Sequence, residues 1–238
     1  LKASIIIPVY NQAEYLGTAI ESAVKQTHRD TEVIIVNDGS TDNALDVAKI
    51  WAIGRSNVKI INKVNGGLPN ARNSGALAST GDVLLPLDAD DYIDPTFLEK
   101  TIPLMRGNVA IVAAKLAYFG LRGGTWDPPK PTLDRIIREN CIPVCSLIKR
   151  FAFIDCGGYP GRMVNGFEDW ALWIDILSRG YEAEVIDEPL FHYRVKERSM
   201  FTDICANHAA LVDQLKSLYH QAFAKQGRQV EISAMADA

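Results

Sequence analysis

The residues with the plainest chemical potential are three carboxylates that end an apolar run, Val83-Leu84-Leu85-Pro86-Leu87-Asp88-Ala89-Asp90-Asp91. The run does not alternate, which suits a strand buried on both faces of a parallel sheet. Its end then lies at the carboxyl edge of the sheet, where open α/β sheets place their ligands. In extended backbone Asp88 and Asp90 project to one side, because side chains alternate with period two. Two carboxylates on one side repel unless a cation sits between them. Hard oxygens suit Mg²⁺ or Mn²⁺, and the usual client of such an ion is a diphosphate. The competing reading is a solvated acidic turn; Asp94-Pro95 has the form of a helix cap, and Asp91 and Asp94 are assigned to that role.

Other strand ends carry polar groups as well. Tyr10 offers a ring face or hydroxyl to a base, and Asp38 an acceptor for a base N–H or a ribose hydroxyl. Each has a plain alternative: partly buried core for Tyr10, a helix cap for Asp38 beside Gly39-Ser40-Thr41-Asp42. Arg72 falls in the first turn of a helix, where the macrodipole prefers anions, so it is expected to face a phosphate or a base. Glu168 and Asp169 open a later helix and alone are ordinary first-turn acids.

The elements that position these residues follow from periodicity. Strands are expected at 4–9, 32–37, 58–62 and 83–87, with Pro8 ending the first ladder. Helices are expected at 14–26, 43–51 and 70–79; Leu16, Ala19, Ile20, Ala23 and Val24 make the core stripe of the first. Four strands alternating with three helices argue for a parallel sheet covered on both faces. Neither GxGxxG nor GxxxxGK[ST] is present, which excludes the dinucleotide fingerprint and the P-loop. Further on, a short helix is broken by Pro103, and a strand is expected over 109–118. The stretch 120–131, rich in Gly and Pro around Trp126, reads as a long irregular loop, either an acceptor lid or plain surface. One or two helical turns over 132–139, a strand over 144–149, a helix over 151–156, a helix from Glu168 to Ser178 and a strand over 182–186 complete the core. From Met200 one helix to about residue 225 is expected, with Ile204, His208, Leu211, Leu215, Leu218 and Ala222 as its stripe.

The 238 residues fit one domain, 47% hydrophobic and 23% charged. With 25 Lys and Arg against 29 Asp and Glu, the net charge is −4, and no basic block speaks for nucleic acid. Cys141, Cys145, Cys156 and Cys205 form no CxxC or zinc spacing and read as reduced thiols. No apolar run approaches the ~20 residues that span a bilayer, and no secretory signal is expected.

Four stretches together carry a resemblance: Ile7-Pro8-Val9-Tyr10-Asn11; Val36-Asn37-Asp38-Gly39-Ser40-Thr41-Asp42; Asn65-Gly66-Gly67 with Ala71-Arg72-Asn73-Ser74-Gly75; and Leu87-Asp88-Ala89-Asp90-Asp91. In this order the chain resembles a family 2 glycosyltransferase of GT-A fold. The resemblance implies a donor-binding half over 1–95, an acceptor and catalytic half over 96–199, and a C-terminal helix and tail over 200–238. It implies a nucleotide-sugar donor, usually UDP-linked, with Pro8, Tyr10 and Asp38 at base and ribose. Asn65, Gly66, Gly67 and Arg72 then lie over the nucleotide. Asp88 meets ribose or metal, and Asp90 ligates Mn²⁺ or Mg²⁺, with His192 as a third ligand. Asp169 becomes the general base of an inverting transfer to a glycan or other acceptor hydroxyl. Glu168, Trp170 and Arg194 line the acceptor or support the site, and Arg194 also offers a charge to the diphosphate.

The implied setting is polysaccharide or glycoconjugate synthesis in the cytoplasm or at the inner face of the membrane. Two rival readings are a nucleotide-sugar binding domain without turnover and a sugar-phosphate nucleotidylyltransferase. The second needs a glycine-rich loop after the first strand, where Pro8-Val9-Tyr10-Asn11 stands.

Overall fold

The computed structural model describes the backbone of residues 1–197 and 200–224, and the side chains of 1–197 and 207–223. β1 (Ala3–Val9), β2 (Thr31–Asp38), β3 (Val58–Lys63) and β4 (Val83–Pro86) are parallel, in the spatial order β3-β2-β1-β4. They are linked by α1 (Ala13–Val24), α2 (Ala44–Ala52) and α3 (Leu68–Ala78). Every residue of β1, β2 and β4 is buried, which is why these runs lack alternation. Ile5, Ile7, Val33, Ile35 and Leu85 pack on one face, toward α1 and α2. Ile6, Ile34, Val36 and Leu84 pack on the other, toward α3.

Pro8 does not end the first ladder. It stays in register with Val36 of β2, whereas β4 stops at Pro86 opposite Ile6. Beyond Ile6, β1 is paired on one side only, the setting in which a strand tolerates proline.

Glu32 is a carboxylate inside this sheet. It accepts hydrogen bonds from Ser4 Oγ at 2.7 Å, Thr80 N at 2.6 Å and Lys59 Nζ at 2.8 Å. Burial pushes its pKa up, but the Lys59, Ser4 and Thr80 bonds outweigh burial and bring it down to about 2.

The second half extends the same sheet. β5 (Tyr92–Ile93) leads through α4 (Phe97–Thr101) and a 3₁₀ turn at Ile102–Leu104 into β6 (Val109–Gly120). Then come β7 (Thr125–Trp126), α5 (Leu133–Ile136), β8 (Leu147–Lys149), α6 (Arg150–Asp155), α7 (Glu168–Ser178) and β9 (Glu182–Val195). The order continues β4-β8-β6-β9-β5, with β8 antiparallel to both its neighbours and β6 parallel to β9.

Three expectations change here. The stretch 120–131 is not wholly irregular: β7 folds back on β6, with Trp126 opposite Leu116. Residues 182–194 form one strand, because the ladder shifts register around Lys115 and Pro189 and so accommodates the proline. The C-terminal helix is two, α8 (Met200–Leu218) and α9 (His220–Ala224). Leu211, Leu215 and Ala222 bury their side chains in the core; the side chain of Ile204 and residues 225–238 lie outside the described residues. Cys141, Cys145 and Cys156 are free thiols, and the side chain of Cys205 is outside the described set. No described helix is long and apolar enough to cross a membrane.

Candidate active site

The motif residues spend much of their hydrogen bonding on one another. After β1 the chain turns through Asn11 at φ +52°, one of only two non-glycine residues with positive φ among the described residues. Asn11 Oδ1 accepts from Thr41 N at 2.7 Å, and Asn11 N donates to Ser40 Oγ at 3.1 Å. Asp42 accepts from Ala13 N at 2.9 Å and so caps α1 from the neighbouring loop. These bonds fix the turn and leave Tyr10 51% exposed beside a cleft.

Asp38 is buried at the end of β2 and clasps the next motif. Its oxygens accept from Lys63 Nζ at 2.6 Å, Gly66 N at 3.0 Å and Gly67 N at 2.9 Å. The Asn65-Gly66-Gly67 loop therefore turns its amides inward onto Asp38. Gly39, at φ +76°, allows the approach: a Cβ there would stand 2.7 Å from Asn65 N. Asp38 is occupied by protein donors rather than held open toward a base.

Arg72 differs from expectation most. It is 1% exposed, and its guanidinium is engaged by side chains of the protein itself. Nη2 donates to Asp88 Oδ1 at 2.6 Å, and Nη1 donates to Glu168 Oε1. A guanidinium's fixed fork suits two carboxylates, and these two raise its pKa against the effect of burial. The structure starts α3 at Leu68, so Arg72 lies just past the first turn, where anions from other elements meet its charge. Arg72 also lies over the Tyr159 ring, 5.4 Å from its centroid. Asn73 holds that tyrosine's backbone in both directions, with Nδ2 to Tyr159 O at 2.8 Å and Tyr159 N to Oδ1 at 2.9 Å.

Asp90 and Asp91 face the end of β9. Asp90 Oδ2 pairs with Lys196 Nζ, and its carbonyl accepts from Arg194 Nε at 2.8 Å. Asp91 is no solvated cap: it is buried and accepts from Arg194 N at 2.8 Å. Burial, then Asp90 and Asp88, push its pKa well up. Arg194 stacks its guanidinium on Tyr15 and Phe119, at 4.5 and 4.4 Å from the ring centroids. Tyr10, Gln12, Tyr15, Leu121, Arg194 and Lys196 line a cleft of about 660 Å³. Aromatic rings with two cations suit a flat anionic ligand such as a nucleotide.

His192 does not join Asp88 and Asp90. It stacks on Tyr92, 4.2 Å between centroids, and is opposite Tyr92 in the ladder. Burial lowers its pKa while Asp94 raises it. Among the described residues no group of three His, Cys, Asp or Glu side chains is gathered to hold an ion. Asp88 and Asp90 still fit Mg²⁺ or Mn²⁺ as a pair of hard carboxylates at the sheet edge. Such ions often take one or two protein carboxylates and complete their shell with phosphate and water.

Asp169 stands at the start of α7, following Phe167 at φ +62°, the second non-glycine residue with positive φ. Phe167 packs edge-on against Trp170 at 5.0 Å and against His208 at 5.5 Å. Asp169 accepts from Trp170 N at 2.7 Å and Asn140 Nδ2 at 3.3 Å. Burial first, then Glu168, raise its pKa to about 7 against the pull of Arg72. A carboxylate poised there is matched to accepting a proton near neutral pH. Trp170 is buried, and Nε1 donates to Ile136 O at 2.5 Å, which ties α5 to α7.

Sequence reasoning passed over Tyr159 and Lys196, quoted Asn11 and Asn73 only as members of their motifs, and took Asp91 for a cap.

The model of "Glycosyl transferase family 2" matches residues 4–163. GlyA of Streptococcus pneumoniae is 35% identical over 220 residues, 84% of this chain and 31% of GlyA. EpsE of Bacillus subtilis, called a putative glycosyltransferase, is 31% identical over 209 residues, 83% of this chain and 74% of EpsE. An uncharacterized glycosyltransferase of Escherichia coli, YibD, is 38% identical over 127 residues, 52% of this chain and 37% of YibD. The chain spans about a third of the length of curated relatives such as YibD.

Among solved structures, S. aureus TarS residues 1–349 in complex with UDP superposes with a TM-score of 0.71 at 22% identity, covering 90% of this chain and 65% of that one. The Pyrobaculum calidifontis mannosyltransferase PcManGT, in complex with GDP-Man and Mn²⁺, gives 0.70 at 19% identity, covering 98% and 66%. These neighbours share the GT-A fold. The four motif stretches between Ile7 and Asp91 lie within the matched span, Glu168, Asp169 and Arg194 lie beyond it, and the chain belongs to glycosyl transferase family 2.

Proposed function

We propose that the chain transfers a sugar from a UDP-sugar to an acceptor hydroxyl with inversion, aided by Mn²⁺ or Mg²⁺ at Asp88 and Asp90. The observation that carries this reading is the Arg72 fork. One guanidinium binds Asp88 of the first acidic motif and Glu168, the neighbour of Asp169. It ties Asp88 to the sequence neighbour of the candidate base.

Asp169 accepts the acceptor O–H proton as that oxygen bonds to the anomeric carbon. The bond from that carbon to the diphosphate oxygen breaks opposite it, and the diphosphate leaves with the electron pair. The metal, when bound, offsets the charge that grows on the leaving diphosphate. Arg194 and Lys196 place positive charge beside the cleft, and Tyr10 offers its exposed ring to the base. TarS structures with UDP and UDP-GlcNAc support a uridine donor; PcManGT with GDP-Man makes GDP the second choice. The partners are thus a nucleotide sugar and a glycan or other hydroxyl acceptor.

Calorimetric titration of UDP with Mn²⁺ and then with EDTA tests the donor site. Binding that weakens in EDTA supports the reading. No binding of UDP, GDP or dTDP in either condition overturns it and favours a domain without turnover.

A further inference from the structure

We propose that Lys196 is a built-in counter-cation of Asp90, which a divalent ion has to displace, so that this one residue sets the metal affinity of the carboxylate pair. The two carboxylates at the sheet edge are not bare. Asp88 is neutralised by Arg72, and Asp90 by Lys196. The two cations differ in how they are held. Arg72 is locked inside the protein, 1% exposed and forked between two acids. Lys196 is 19% exposed, its partner Asp90 is 16% exposed, and a lysine is a point charge on a flexible four-carbon stem. Only Lys196 is free to leave.

It also has a place to go. Its ammonium lies 5.1 Å from the centroid of the Tyr15 ring and lines the 660 Å³ cleft, where a diphosphate would receive it. An ammonium and a divalent ion on one carboxylate repel, so binding of the ion and the Lys196–Asp90 pair exclude each other. The backbone beneath does not need to move. Arg194 N stays on Asp91, and Arg194 Nε stays on the Asp90 carbonyl. The inference rests on the donor-site reading only in taking Asp90 as the metal-facing carboxylate.

The test is titration of Mn²⁺ alone, with free ion counted by its electron paramagnetic resonance signal, into the wild-type chain and the Lys196→Ala, Lys196→Gln and Lys196→Arg variants. Release from a partly buried ion pair is expected to tighten Mn²⁺ binding about tenfold in the two neutral variants. Lys196→Arg keeps the positive charge and is expected to stay within about twofold of wild type. Adding Asp90→Asn to Lys196→Gln is expected to abolish the gain. Neutral variants that melt like wild type yet bind Mn²⁺ no more tightly overturn the proposal, as does a gain that survives Asp90→Asn. UDP titrations on the same samples separate the two readings. Tighter Mn²⁺ binding without any nucleotide binding leaves the role of Lys196 standing and removes the donor site. Metal-dependent UDP binding without the gain does the reverse.

Discussion

Arg72 and Asp88 meet at 2.6 Å, and this pair links the second turn of α3 to the stretch just past the end of β4. The same guanidinium holds Glu168, so removing it strands the buried Glu168 and the partly buried Asp88 without their cation. Arg72→Met is expected to cost about 3–5 kcal/mol of stability, read by urea denaturation. The double variant with Glu168→Gln is expected to recover part of that loss. Full additivity of the two changes would show that the pair is not coupled.

Asp169 has its pKa raised to about 7 by burial and by Glu168. It works as a base only when ionised, so kcat/KM is expected to rise with pH through about 7 and then level. The sign for stability is opposite. A carboxylate with a raised folded pKa favours the folded state fully below its ordinary pKa, and that contribution is lost as pH rises through about 7. Asp169→Asn is expected to keep UDP affinity, lower transfer ~10²–10⁴-fold and flatten that limb of the profile. Normal transfer by this variant would remove Asp169 from the chemistry.

Glu32 provides a control far from the cleft. Its pKa falls from 4.5 to about 2. A lowered carboxylate stabilises the fold above its ordinary pKa, and that stability disappears as pH falls through about 2. The shift corresponds to about 3 kcal/mol. Glu32→Gln is expected to lose roughly that amount at pH 7 and little at pH 2, in denaturation curves at the two pH values.

Asn73 exchanges two hydrogen bonds with the Tyr159 backbone, at 2.8 and 2.9 Å. Asn73→Ala removes both, and Asn73→Asp removes the donor only. Losses of about 2 and 1 kcal/mol are expected, in that order, by thermal or chemical melting. Equal losses would point to a steric cause.

The fold was legible because fully buried strands and amphipathic helices write different periods, as Ile5–Ile7 and Leu16–Val24 do. Asp88, Asp90 and Asp169 stood out in the sequence because each lies at or just past the end of an element. Their partners did not. Arg72 and Glu168 are 96 positions apart, and no local spacing reveals that pairing. The argument that two carboxylates need a shared ion overlooked cations that the chain itself supplies. Pro189 concealed the unity of β9, because the ladder shifts register at that proline and so absorbs it.

The clasp of Asp38 on Gly66 and Gly67 bears on any attempt to retune the proposed nucleotide preference. That carboxylate is structural currency already committed, so exchanging it would dismantle the loop before it altered preference. The residues open to redesign are those with side chains turned to the cleft, Tyr10, Gln12 and Leu121. Libraries built on these three leave the interlocked framework intact.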